Sequence, residues 1–194
     1  MIKRLFDFVM SLFGLFILSP ILVVLSVAIV ISSGFPIFFT QVRIGKKERP
    51  FLLMKFRTMR KGASGLQITA DKDPRITKIG DFLRKYKLDE LPQLLNILLG
   101  QMSFVGPRPE VKKYVDMYTS DEKQILRVKP GLTGLDSLNF SDESKLLKAS
   151  ENPERTYIND ILPQKIKLNL EYIQNMSFTT DLKIILATII KVFS

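Results

Sequence analysis

Hydrophobic and polar positions divide this chain into one uninterrupted apolar block followed by short, punctuated segments. Residues 8–31 carry no charge, a run long enough to cross a bilayer as a straight helix. Pro20 lies in its middle, preceded by Ser19. Proline deletes a backbone hydrogen bond and clashes with the carbonyl four residues back, so a kink is expected there. Ser19 can satisfy the freed carbonyl, which matters in lipid. A signal peptide would share the positive start at Lys3 and Arg4, but the run exceeds a typical signal core and no small-residue cleavage site follows.

Beyond this block the periods shorten. Residues 36–44 and 51–56 are β-rich, and Gly45 with the charged link between them predicts a small β-hairpin. Residues 60–73 are polar, contain Gly62, Ser64 and Gly65, and read as a loop. Thr77 or Asp81 is placed to cap a helix running to about Lys87, on which Arg84 and Leu88 share a face. Residues 91–99 read as a helix that Pro92 opens and Gly100 closes. Residues 110–128 read as broken helix, 129–134 as a turn-rich loop, 146–163 as polar and irregular, and 165–174 as helix. Residues 181–193 are apolar but interrupted by Lys183 and Lys191. They are too short and charged for a span and read as an amphipathic interfacial helix, with a plain core helix as the alternative. The pattern predicts an α+β, mostly helical fold: a membrane-embedded segment over 1–34 and an interfacial domain over 35–194.

Charge adds topology. Lys3 and Arg4 precede the apolar run, and Arg43, Lys46, Lys47 and Arg49 follow it. A spanning helix biases Lys and Arg to one side. With both ends basic, a kinked span and a re-entrant helix–break–helix that dips into one leaflet both fit. The net charge of +10 suits nucleic acid, anionic lipid or phosphorylated substrates. With no Trp and no nucleic-acid motif, membrane surface plus phosphate is the better reading. The chain has no Cys and no His. That excludes thiol nucleophiles, disulfides, thiolate or His-ligated metal sites and the serine-protease type of triad. Carboxylates, Lys, Arg, hydroxyls and a hard oxygen-bound cation such as Mg²⁺ remain.

Those groups concentrate in residues 83–109, LRKYKLDELPQLLNILLGQMSFVGPRP. Asp89 and Glu90 stand just before Pro92, at a helix N-terminus, where free N–H groups and the macrodipole favour negative charge. Adjacent helical residues point about 100° apart, so a proton-sharing dyad does not suit them. A division of labour does: one carboxylate attacks or binds, the other holds a metal. A plain helix cap is the alternative. Arg84, Lys85 and Lys87 lie upstream. Arg108 lies downstream, between two prolines that stiffen its backbone, and suits two-point recognition of phosphate.

Leu88-Asp89-Glu90-Leu91-Pro92-Gln93, then Asn96, then Gly100 to Pro109, resembles the signature of the bacterial sugar transferases, the monotopic phosphoglycosyl transferases. Gln41 to Gly45, Lys55 to Met59, Asp73 to Thr77, Lys129 to Gly134, Glu171-Tyr172 and Asp181 to Lys183 extend the resemblance over nearly the whole chain, in its minimal form. The match weakens at Leu135 to Ser141, where many members have a Trp and then a polar run ending in Asn, Gly and Arg. The resemblance implies a re-entrant helix broken at Ser19-Pro20 and a bacterial inner-membrane location on the cytoplasmic face. It implies transfer of a sugar-1-phosphate from a nucleotide sugar, expected to be a UDP-sugar, to undecaprenyl phosphate, giving undecaprenyl-diphospho-sugar and UMP. Asp89 would attack to form a covalent phosphosugar, Glu90 with Asp89 would hold Mg²⁺, and Arg84, Arg108, Lys55 and Arg57 would contact substrate phosphates. Without the resemblance, Lys55 and Arg57 read as a solvated strand face and Arg84 as a surface arginine. Two rivals fit the composition: a non-catalytic basic membrane-surface protein and a metal-dependent phosphatase or nucleotide hydrolase. The sequence leaves homo-oligomerisation, the sugar and the pathway open.

Overall fold

The apolar block folds as a single 32-residue helix, α1 (Ile2–Ser33), in the computed structural model, which describes residues 2–62 and 73–193. The loop expected over 60–73 therefore lies largely outside the described residues. Helix α1 runs through Pro20 without ending. The backbone is relieved locally: Ser19 Oγ donates to the Phe16 carbonyl at 2.7 Å, the group that the missing proline N–H leaves free. One side of α1 packs inward through Asp7, Ser11, Leu25 and Ile29. The other leaves Leu12, Phe13, Phe16, Val23, Val24 and Ile31, among others, exposed.

Both ends of α1 are tied to the rest of the chain. At the start, Lys3 Nζ donates to the Val105 carbonyl (2.9 Å), and Arg4 donates to the Ile97 and Leu98 carbonyls (2.7 and 2.8 Å). Buried Asp7 accepts from Ser103 Oγ and Phe104 N–H, each at 3.1 Å. At the far end, Arg57 Nη2 donates to the Ser33 and Gly34 carbonyls at 2.7 and 2.5 Å. A guanidinium on the last carbonyls suits the negative end of the helix dipole.

The expected hairpin is present. Strands β1 (Phe38–Ile44) and β2 (Pro50–Phe56) pair antiparallel from Phe38↔Phe56 to Ile44↔Pro50. Helix α2 (Lys78–Lys85) starts at Thr77, whose Oγ1 accepts the Gly80 N–H at 3.0 Å. It stops short of the expected Lys87 because Lys87 takes a left-handed conformation, with φ +55°. Arg84 and Leu88 therefore do not share a helix face. A 3₁₀ turn (Leu88–Glu90) follows, then α3 (Gln93–Leu98), shorter than the expected 91–99. Gly100 closes it with φ +79°.

Strands β3 (Ser103–Val105) and β4 (Gly131–Thr133) form a second, parallel pair, the latter inside the stretch 129–134 expected as a turn-rich loop. The glycines explain it. A Cβ on Gly131 would lie 2.2 Å from the Gly106 nitrogen, so two backbones meet here with no room for side chains. Helix α4 (Lys112–Val115) and a 3₁₀ turn (Glu122–Arg127) lie between these strands.

The polar stretch 146–163 is not irregular. It belongs to a chain of short helices: α5 (Leu135–Asn139), α6 (Glu143–Lys148), α7 (Pro153–Thr156), a π-turn (Tyr157–Ile161) and α8 (Leu162–Gln174). Asn152 caps α7 by accepting the Arg155 N–H at 3.1 Å, with Pro153 in its first turn. Tyr157, Ile161, Leu162 and Ile166 then pack against Tyr114, Val115 and Leu126 in one core. Sparse apolar positions thus suffice where a neighbouring core receives them. Helix α9 (Phe178–Phe193) buries Ile184 and Asp181 and exposes Leu182, Leu186, Ile189 and Ile190.

Candidate active site

Asp89 and Glu90 sit on the 3₁₀ turn between α2 and α3, beside the inner face of the hairpin. Lys87, in its left-handed conformation, turns the chain out of α2 and presents the two acids. Asn96 holds the hairpin to α3. Its Oδ1 accepts the Met54 N–H (3.0 Å), and its Nδ2 donates to the Leu52 carbonyl and Gln101 Oε1 (2.7 Å each). That bracket fixes β2 one residue from Lys55.

Glu90 is pinned from two sides. Lys55 Nζ donates to its Oε1 at 2.8 Å. Arg108 donates from Nη2 to Oε1 at 2.5 Å and from Nη1 to Oε2 at 3.3 Å. Burial alone would push the Glu90 carboxyl up; Arg108 and Lys55 outweigh it and hold it well below the usual carboxylate range. The Glu90 charge in turn raises Arg108 against the opposing effect of burial.

Asp89 differs. It is buried, and it accepts no hydrogen bond from a described residue. Burial pushes its carboxyl up. Lys55, Arg84 and Lys87 pull it back down, and the Glu90 charge adds to the rise. Arg84 reaches the site from the last turn of α2 and is held by Thr58, whose Oγ1 accepts its Nε–H at 2.8 Å. The result is a buried carboxylate that no described side chain bonds, in the electrostatic field of Lys55, Arg84 and Lys87. Such a group can attack an electrophilic phosphorus while the cations carry the phosphate charge.

Five of the sequence candidates thus meet: Lys55, Arg84, Asp89, Glu90 and Arg108. Arg57 does not join them through a hydrogen bond; its Nη2 ties off α1, while Nε and Nη1 are buried without partners among the described residues. Asn96, Thr58 and Lys87 were not assigned roles from the sequence. A lone polar residue inside LLNILL was the available signal for Asn96. Thr58 falls inside the Lys55 to Met59 stretch that carries the family resemblance, but nothing in the sequence links it to Arg84.

The donors also bear on a divalent cation. No group of three or more acidic, His or Cys side chains is gathered among the described residues. A carboxylate offers about four lone-pair positions, and Lys55 and Arg108 occupy three on Glu90. One position on Glu90 Oε2 and the Asp89 oxygens remain. This set fits a Mg²⁺ that arrives with substrate phosphates and keeps its waters, the usual mode for that ion.

The model for the family described as bacterial sugar transferase matches residues 1–194. The chain belongs to the bacterial sugar transferase family. It is 36% identical over 199 residues to an Escherichia coli protein named UDP-glucose:undecaprenyl-phosphate glucose-1-phosphate transferase, covering 100% of this chain and 40% of that one. An uncharacterized sugar transferase, EpsL, of Bacillus subtilis is 37% identical over 98% of this chain and 87% of its own length. The exopolysaccharide production protein ExoY of Rhizobium meliloti is 35% identical over 97% of this chain and 84% of its own. The chain thus spans less than half of the Escherichia coli relative and most of the other two.

Proposed function

We propose that this chain is a monotopic phosphoglycosyl transferase of the bacterial inner membrane, with its active site at the cytoplasmic face. It transfers a sugar-1-phosphate from a nucleotide sugar, a UDP-sugar in this reading, to undecaprenyl phosphate. The products are undecaprenyl-diphospho-sugar and UMP, and the step opens the membrane stage of polysaccharide or glycoconjugate synthesis. The observation that carries this reading is the pair of unlike carboxylates: Glu90 locked by Lys55 and Arg108, and Asp89 buried, its oxygens bonded by none of the described residues.

In the first half-reaction an Asp89 oxygen attacks the sugar-bearing phosphorus. The bond to the bridging diphosphate oxygen breaks, and UMP leaves with that oxygen. In the second, an oxygen of undecaprenyl phosphate attacks the same phosphorus and the Asp89 carboxylate leaves. Both nucleophiles are anions, so neither half needs a general base, in keeping with a chain that has no His. Arg108 and Arg84 carry phosphate charge in both halves. Glu90 fixes Arg108 and Lys55 in place for it. Mg²⁺ held at Glu90 and Asp89 with the diphosphate would supply charge neutralisation.

Depth follows from α1. At about 1.5 Å per residue its 32 residues span roughly 48 Å, more than the ~30 Å hydrocarbon core, and both ends are bonded to the same body. This supports a helix that enters and leaves one leaflet, bent at Ser19-Pro20, over a helix that crosses. The segment 1–34 is then the membrane unit and 35–194 the catalytic one, with exposed Leu186, Ile189 and Ile190 of α9 at the interface.

Release of nucleoside monophosphate from a panel of UDP-sugars, with Mg²⁺, with and without undecaprenyl phosphate, tests this. Sustained release that requires the lipid and one sugar, and is lost in Asp89→Asn, is expected, with at most one equivalent of UMP per enzyme in the absence of lipid. Multiple turnovers without lipid would identify a hydrolase, and liposome binding without turnover a membrane-surface protein.

A further inference from the structure

Arg108 can serve two phosphates in succession only if its backbone stays still, and the structure shows what holds it. Each proline beside it lacks an N–H. The polar groups of Pro107-Arg108-Pro109 are nonetheless taken up from three directions. The Pro107 carbonyl accepts the Gly131 N–H at 2.9 Å. The Pro109 carbonyl accepts from Arg43 Nη1 at 3.0 Å. The Arg108 N–H donates to Asp136 Oδ2 at 3.1 Å.

Asp136 is the unexpected member. It lies on α5, outside the segments that carry the site's other charged groups. It is 1% exposed, and its oxygens are divided between two tasks. Oδ1 accepts the Ser137 N–H at 2.7 Å, inside the first turn of α5. Oδ2 accepts both the Arg108 N–H and Asn169 Nδ2, each at 3.1 Å. Asn169 is on α8, also buried, and its amide orients the carboxylate from behind. The Asp136 charge also favours the Arg108 guanidinium. A residue that served only the first turn of α5 would need Oδ1 alone. The approach is close: a Cβ on Gly134 would lie 2.8 Å from Asp136 Oδ1.

We infer that Asp136 is a positioning residue for Arg108, linking α8 through Asn169 to the phosphate-binding guanidinium. The inference rests on the proposed phosphoglycosyl transfer. Its chemistry is simple: a carboxylate supplies acceptors in both directions at once, whereas the amide of Asn has one acceptor oxygen and must forsake either Ser137 or Arg108. Displacement of a phosphate-binding group by about 1 Å costs on the order of 100-fold in rate.

The test is a double-mutant cycle on lipid-dependent nucleotide release, followed with radiolabelled donor at enzyme concentrations that detect a 10,000-fold loss, about 5.5 kcal/mol by the equivalence of 1.36 kcal/mol per tenfold. Asp136→Asn is expected to lower turnover at least about tenfold in the otherwise native chain, and less than about twofold in an Arg108→Ala background. A purely structural role would multiply the same factor in both backgrounds, and that result overturns the inference. So does native turnover by Asp136→Asn. If the unmutated chain releases no nucleotide with lipid present, it is the transferase reading that fails, and the Asp136 assignment falls with it.

Discussion

Asp89 and Glu90 are neighbours in the chain, yet burial pushes the Asp89 carboxyl up while Arg108 and Lys55 hold Glu90 well down. The two shifts have opposite consequences. Glu90 has a depressed pKa when folded, so its contribution to stability is present above the unfolded value near 4.3 and is lost as pH falls through the folded one. Asp89 has a raised pKa when folded, so the fold is favoured while it is protonated, and that contribution is lost as pH rises through the raised value. Asp89→Asn is therefore expected to unfold at a higher temperature than the native chain at neutral pH, by calorimetry in detergent. Activity requires the Asp89 anion, so the acid limb of the kcat/KM profile should fall above the ordinary aspartate value of about 3.9. Glu90→Gln leaves Lys55 and Arg108 without their shared counter-charge, and a loss of about 3 kcal/mol in unfolding free energy is expected. Asp89, Glu90 and Arg108 stand out in the sequence as two acids before Pro92 and an arginine between two prolines. Their expected roles, however, come from the family resemblance, and the acids lie on a 3₁₀ turn ahead of α3 rather than in its first turn. Asp136 and Thr58 do not stand out, since each acts on a residue far along the chain and stands in no periodic pattern.

At the scale of elements, strong local signals were read correctly and weak ones were not. The hairpin was legible from two β-rich runs and Gly45, and α1 from its charge-free length. The parallel pair β3–β4 was not, because three-residue strands have no period to detect and their pairing rests on glycines met across the fold. The helices over 143–161 were missed because their few apolar residues fill a core built by other segments. Asn96 joins two elements with three side-chain hydrogen bonds. Asn96→Ala removes the side-chain partner of the Met54 N–H and the Leu52 carbonyl of β2, so denaturant unfolding should show a loss of about 2 kcal/mol. Arg57 joins α1 to the strand that carries Lys55. In Arg57→Ala the Ser33 and Gly34 amides should exchange hydrogen about tenfold faster or more, read by mass spectrometry, while residues near Asp7 are unchanged.

For the whole molecule, the governing fact is that one body holds both ends of an apolar helix longer than a bilayer core is thick. The anchors at Lys3, Arg4 and Asp7 and at Arg57 set that geometry. The sequence supplied basic residues at both ends but could not say that they bond to the same domain. A chain without cysteine makes the topology simple to measure. Single cysteines at Ile2 and at Phe35, the latter just after α1 and exposed, should both react with an impermeant thiol reagent in inside-out vesicles and neither in right-side-out vesicles. Reaction of one from each side would show a span.

The account stands on Asp89 as the group that carries the phosphosugar. The measurement that reaches it most directly is intact-protein mass spectrometry after incubation with the accepted UDP-sugar in the absence of lipid, followed by peptide mapping. The account predicts a mass increase of one sugar phosphate on the peptide holding Asp89, discharged when undecaprenyl phosphate is added and absent in Asp89→Asn. Lipid-dependent turnover by a chain that never acquires that mass, or that acquires it on another residue, would contradict it.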